Sequence, residues 1–116
     1  MERMDIEFPG GKRVDAQYRG FTHRTDQPED EGGGGSAPEP YDLFLASLGT
    51  CAGVYVLSFC RERGLDTTGL RLSLGAEKDE QGKLFSRVVL TLHLPADFPP
   101  KYIKAVQKAA GLCTVK

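Results

Sequence analysis

Three cysteines carry the chemistry open to this chain: Cys51, Cys60 and Cys113. A thiolate is a strong nucleophile, and it forms at neutral pH only where a nearby cation stabilises it. Arg13, Arg19 and Arg24 lie upstream and are the residues able to supply that charge. Cys51 and Cys60 share the stretch GTCAGVYVLSFC, residues 49 to 60. On a helix, nine residues turn through about 900°, half a turn beyond two full turns, with about 13 Å of rise. The two thiols therefore face opposite ways, and a disulfide needs Cα atoms within about 7 Å. They cannot pair while the helix exists, and their spacing does not match the close C-x-x-C pairs of zinc sites. If Cys51 has an intrachain partner, Cys113 is the better placed. Cys60 reads as a small buried hydrophobe. No metal site and no cofactor are implied.

The elements that must position these residues can be read from period and punctuation. Residues 4 to 8 (MDIEF) and 13 to 21 (RVDAQYRGF) alternate loosely around Pro9-Gly10-Gly11-Lys12, which predicts a β-hairpin. TDQPEDEGGGGSAPEP, residues 25 to 40, is rich in Gly, Pro and acid and reads either as a mobile surface loop or as one whose glycines let backbone pass close to a site. A helix is expected over 42–63, with Pro38 and Pro40 before it, Asp42 in its first turn and Gly64 as its stop. It is apolar on nearly every face, which predicts a central, buried helix. Residues 70 to 78 and 84 to 94 alternate around Asp79-Glu80-Gln81-Gly82, a second hairpin with Val88, Leu90, Leu92 and Leu94 on one face. Pro99-Pro100 opens a second helix whose stripe is Ile103, Val106, Ala110 and Cys113. The expected order is β-β-α-β-β-α, an α+β fold with an antiparallel sheet. His93 falls on the strand face opposite Val88, Leu90 and Leu92 and reads as a half-exposed strand residue. No spacing pairs it or His23 with Cys51 as a hydrolase would require.

Bulk properties narrow the function classes. The 116 residues suit one domain, residues 1–116, with a small core. A net charge of -1, from 15 basic and 16 acidic residues, offers nothing to nucleic acid or an anionic membrane. Leu43 to Cys60 is uncharged, but it is interrupted by Ser47, Gly49, Thr50, Gly53 and Ser58 and barely reaches the length of a membrane span, so that reading is rejected. The charged start MERMDIEF has no secretory character. An odd cysteine count argues against a disulfide scaffold and for reduced thiols in the cytoplasm.

The run GGGGSAPEPYDLFLASLGTC, followed by AAGLC 62 residues on, resembles the OsmC/Ohr family of osmotically inducible and organic hydroperoxide resistance proteins, nearest a less characterised OsmC-like branch. The resemblance covers almost the whole chain. It implies a long central helix in an intertwined homodimer with two sites at the subunit interface. It also implies thiol peroxidation: Cys51 attacks a hydroperoxide, Cys113 resolves the sulfenic acid as a disulfide, and a dithiol of the dihydrolipoamide type restores both. By the same resemblance, Arg13 or else Arg19 holds the thiolate, and Tyr41, Phe44, Leu48 and Tyr55 line an apolar substrate site. The family's hydroperoxide branch carries a glutamate ten residues before the first cysteine, and here that position is Tyr41. Asp42 is either the replacement carboxylate or a helix-start residue favoured by the dipole. Thr114-Val115 stands where the family usually has proline, and the family usually continues for about one more strand beyond the position of Lys116, which implies either a missing tail or a shortened form. An alternative is a domain of the same fold without efficient peroxidase activity, binding a small hydrophobic ligand or sensing redox state. In a third reading, the cysteines are only core.

Overall fold

The structure is a computed structural model and describes residues 1–78 and 85–111. The chain divides into two compact units, Met1–Phe44 and Leu45–Lys116.

The first unit is a three-stranded antiparallel sheet in the order β1-β2-β3, with β1 at Asp5–Gly10, β2 at Arg13–Tyr18 and β3 at Phe21–Thr25. The predicted hairpin is there, but residues 13 to 21 are two strands, not one. Arg19 (φ 52°) and Gly20 (φ 81°) turn the chain between Tyr18 and Phe21, which pair across it. Positive φ at both central residues is the two-residue turn that matches strand twist. A left-handed arginine costs roughly 1–2 kcal/mol, and for that reason Arg19 gave no turn signal in the sequence. Its side chain is held in place by an ion pair with Glu2 and lies 5.1 Å over the Tyr18 ring. The β1–β2 register shifts between Glu7 and Gly10, where Pro9 has no N–H to give the ladder.

The acidic, Gly-rich segment after β3 is hydrogen-bonded within itself. It contains a 3-10 turn at Glu29–Glu31 and is tied by backbone bonds from Asp26 N–H to Pro38 O (3.0 Å) and Gly35 N–H to Gln27 O (3.0 Å). At Gly33 a Cβ would lie 2.0 Å from the Gln27 carbonyl oxygen, so only glycine lets the two strands of the loop close.

Helix α1 spans Pro40–Glu62. Its end is a Schellman cap: Leu65 N–H bonds Cys60 O at 2.9 Å, Gly64 N–H bonds Arg61 O at 3.2 Å, and Gly64 takes φ 64°. In the second unit, β4 (Arg71–Lys78) and β5 (Phe85–His93) form an antiparallel pair, with Leu72 opposite Leu92 and Leu74 opposite Leu90. The turn expected at Asp79 to Gly82 lies outside the described residues. A 3-10 turn at Pro100–Tyr102 leads into α2, Ile103–Ala110, and the expected continuation through Cys113 also lies outside them. The order is therefore β-β-β-α-β-β-α, still α+β and antiparallel.

The core is small. Val56, Phe59, Cys60, Phe98, Val106 and Ala109 are its buried members, with Leu70, Leu72, Leu92, Leu94 and Ile103 packed against them. Contrary to the expectation from its apolar sequence, helix α1 is not buried on every face. Only one side, through Ala52, Val56, Phe59 and Cys60, is buried. Val54 and Leu57, on the far side, are 59% and 42% exposed. Two strands and one short helix have enough apolar surface to cover one helix face, not all of it. By length and composition alone α1 could cross a membrane.

A candidate redox site on the central helix

The start of α1 is set by its own residues. Pro40 occupies the first helical turn, where its missing N–H costs nothing. Asp42 N–H bonds Glu39 O (3.0 Å), and the Asp42 carboxylate accepts the Glu39 N–H in return (3.3 Å). This is the reach-back half of a capping box. Tyr41 and Phe44 meet edge to face, with centroids 5.9 Å apart.

Eleven residues into the helix, Cys51 is half-buried, while Cys60 is fully buried. Burial pushes the Cys60 thiol up, against a weaker opposing pull from Arg63. By helical spacing Phe44, Leu48, Cys51 and Tyr55 fall within a sector of about 60°, with Leu48 and Tyr55 also half-buried. Thr50 beside Cys51 spends its hydroxyl on the Ala46 carbonyl (2.8 Å).

The next face of the same helix opens on a cleft of about 460 Å³, lined by Leu45, Ala46, Gly49, Thr50, Leu72 and Leu74, with Ser73 and Leu90 at its wall. Of the residues expected to line a substrate site, none is among these. Sequence reading had placed Leu72, Leu74 and Leu90 only in alternating strands, and the cleft arises where that leucine face meets the small residues Ala46 and Gly49. Ser73 Oγ and His93 Nε2 are 2.9 Å apart, and His93 is half-buried as a strand residue.

The candidate arginines belong to the first unit and have neighbours there. Arg13 folds back on its own turn, donating to the Gly10 and Pro9 carbonyls at 3.4 Å each. Arg19 is committed to Glu2, whose carboxyl the arginine and the Tyr18 hydroxyl hold below the usual range. Arg24 is exposed and stands opposite Asp15 in the ladder. Arg13 also borders a cavity of about 520 Å³ with Gly10, Lys12, Asp26, Gly33 and Ser36.

Sequence reading missed Asp26. It is 1% exposed. Its carboxylate accepts bonds from Gln27 N–H (2.7 Å), Gly34 N–H (3.5 Å), Ser36 N–H (3.1 Å) and the Ser36 hydroxyl (2.6 Å). These donors, the Ser36 hydroxyl first, hold its pKa down at about 2. Nothing distinguished it in the sequence from the acids at 29 to 31. Cys113 lies outside the described residues. Among the described residues no cluster of His, Cys, Asp and Glu could hold a metal ion.

The OsmC-like protein family model matches residues 33–116. No curated protein matches the chain by sequence. Among solved structures, a candidate osmotic stress induced and detoxification response protein from Psychrobacter arcticus 273-4 superposes with a TM-score of 0.83 at 23% identity, covering 99% of this chain and 85% of its own. An organic hydroperoxide resistance protein OsmC from Legionella pneumophila gives 0.58 at 20% identity, covering 99% and 87%. An OsmC-like protein of unknown function from Vibrio cholerae gives 0.62 at 10% identity, covering 99% and 90%. These likenesses are of fold, and together with the family match over most of the sequence they establish that the chain belongs to the OsmC-like protein family.

Proposed function

We propose that this protein is a cysteine-based reductase of organic hydroperoxides. The observation that carries the reading is the contrast between the two thiols of α1. Cys60 is sealed in the core, whereas Cys51 sits half-buried on a face shared with Phe44, Leu48 and Tyr55. The name of the Legionella relative, organic hydroperoxide resistance protein, supports the same chemistry.

In this mechanism the Cys51 thiolate attacks the terminal oxygen of ROOH. The O–O bond breaks, the alkoxide leaves and takes up a proton, and Cys51 becomes a sulfenic acid. The Cys113 thiol displaces water to form a disulfide, and a dithiol reductant then returns both cysteines to thiols. Arg13 supplies the cation that stabilises the thiolate. Arg19, engaged by Glu2, is the weaker choice. A second copy of the chain covers apolar surface left open here, Phe44, Val54 and Leu57 on α1 and Ile6, Phe8 and Phe21 on the first sheet, and completes the site. On this reading the reaction belongs in the cytoplasm, where thiols are kept reduced.

A second reading is favoured by the cleft of about 460 Å³ beside Thr50. It fits a small apolar ligand without peroxide turnover, and Tyr41 in the family's glutamate position agrees with it.

The test is peptide mass spectrometry without reduction, after one equivalent of cumene hydroperoxide meets fully reduced protein. A rapid Cys51–Cys113 disulfide with Cys60 still a thiol is expected. Three unmodified thiols with the peroxide intact would sink the peroxidase and leave the ligand-binding reading.

A further inference from the structure

The cavity of about 520 Å³ that Arg13 borders is built entirely from the first unit. The β1–β2 turn contributes Lys12 and Arg13, and the Gly-rich loop contributes Ser36 and the successive glycines Gly32 to Gly34. The volume is that of a small-molecule site, for which the range is about 300–1,000 Å³. Glycine keeps the space open. A Cβ at Gly10 would lie 3.2 Å from Arg13 Nη2, one at Gly32 would lie 3.5 Å from Lys12 Cε, and one at Gly34 would lie 3.3 Å from an Asp26 carboxylate oxygen. Larger residues at these positions would crowd the charged groups that border the cavity.

Both cations are available to a ligand. Among the described residues neither Lys12 nor Arg13 is in an ion pair with a carboxylate. Arg13 bonds only the Gly10 and Pro9 carbonyls, at 3.4 Å each, which is long against the usual N–H···O range of about 2.7–3.2 Å. The acid at the cavity is spent elsewhere. Asp26 is the clasp of the loop: its buried carboxylate accepts from Gln27 N–H, Gly34 N–H, Ser36 N–H and the Ser36 hydroxyl. A carboxylate has about four acceptor sites, so these bonds fill it. None of the donors is a cation, and the charges of Lys12 and Arg13 stay uncompensated. A planar guanidinium fork beside an ammonium point charge is a pair suited to phosphate oxygens.

We infer that this cavity is a binding site for a small organic phosphate, with the phosphoryl group held by Lys12 and Arg13 and the rest of the molecule between the turn and the glycines of the loop. The volume, larger than a bare phosphate ion fills, is what favours an ester. The inference goes beyond the peroxidase reading and does not depend on it. It uses residues of the first unit alone, and binding is read directly, so its outcome leaves Cys51 untouched.

The test is a titration of the full chain with α-glycerol phosphate, inorganic phosphate and glycerol, at constant ionic strength, followed by backbone amide NMR. Saturable shifts are expected at the amides of Gly11, Lys12 and Arg13 and of Gly32 to Ser36. The ester is expected to bind more tightly than inorganic phosphate, and glycerol is expected to leave the amides unmoved. Lys12→Ala and Arg13→Ala should each weaken the ester about tenfold, the loss of a hydrogen bond to a charged group. Should Arg13→Ala disturb the strand it begins, Lys12→Gln, at an exposed turn position, carries the test by itself. Shifts that do not saturate with either phosphate overturn the inference. So does wild-type affinity in the Lys12 variants, which would put the phosphate elsewhere. Equal affinity for the ester and the bare ion overturns the assignment of an organic ligand, and shifts of the same size with glycerol overturn the role of the phosphoryl group.

Discussion

The Arg63 guanidinium lies 3.7 Å from the centroid of the Phe59 ring, and its Nη1 donates to the Phe59 carbonyl at 3.1 Å. Phe59 in turn meets Tyr102 edge to face, with centroids 5.9 Å apart. One side chain therefore caps the last turn of α1, covers the rim of the core and reaches toward the lead-in to α2.

Arg63→Ala removes both the carbonyl bond and a cation–π contact, each worth about 1 kcal/mol when part-exposed. A loss of about 1–2 kcal/mol is expected in urea unfolding, with Arg63→Lys recovering part of it. Because the residue is remote in sequence from Cys51 and belongs to the core rim, Cys51 alkylation should hold its rate. An unchanged urea midpoint in Arg63→Ala would show that the stack contributes nothing.

The Asp26 clasp predicts acid sensitivity of a definite sign. Its folded pKa, about 2, is below the ordinary 3.8. The unfolded state therefore binds the proton first, and the stabilisation is fully present above about pH 4 and is lost as pH falls from there toward 2. Thermal melts from pH 6 to pH 2.5 should fall most steeply at the acid end. Asp26→Asn should start lower and lose that part of the slope. Parallel curves for the two proteins would contradict the clasp.

Cys60 should tolerate loss of its sulfur better than gain of a hydroxyl. Cys60→Ser places a polar group at a fully buried position among Val56, Phe59 and Val106, at a cost of about 1–3 kcal/mol. Cys60→Ala leaves a small void and should cost less than the serine variant. In the native protein Cys60 should alkylate far more slowly than Cys51, because burial shields it and raises its pKa. Equal rates would mean that α1 opens readily.

Much of the architecture was legible locally. Pro40 and Gly64 bound α1 because proline suits a first turn and glycine accepts the left-handed cap, and both are properties of single residues. The alternation of Leu72, Leu74, Leu90 and Leu92 predicted the second hairpin because side chains on a strand repeat every two residues. The opposite orientation of Cys51 and Cys60 followed from helix pitch alone. The extra strand was not legible, because the turn that creates it puts an arginine at positive φ, where Glu2, far away in sequence, holds it.

The amino-acid order by itself thus determined the two hairpins, α1 to within two residues at either end, the relative facing of its two thiols and the family pattern around Cys51. Tertiary structure alone decided which side of α1 is covered, that Asp26 rather than a neighbouring acid organises the Gly-rich loop, and that a leucine face meeting Ala46 and Gly49 makes a cleft. Those outcomes depend on contacts between residues distant in the chain. Burial and hydrogen-bond partners are set by where the backbone travels, and no local period encodes that path.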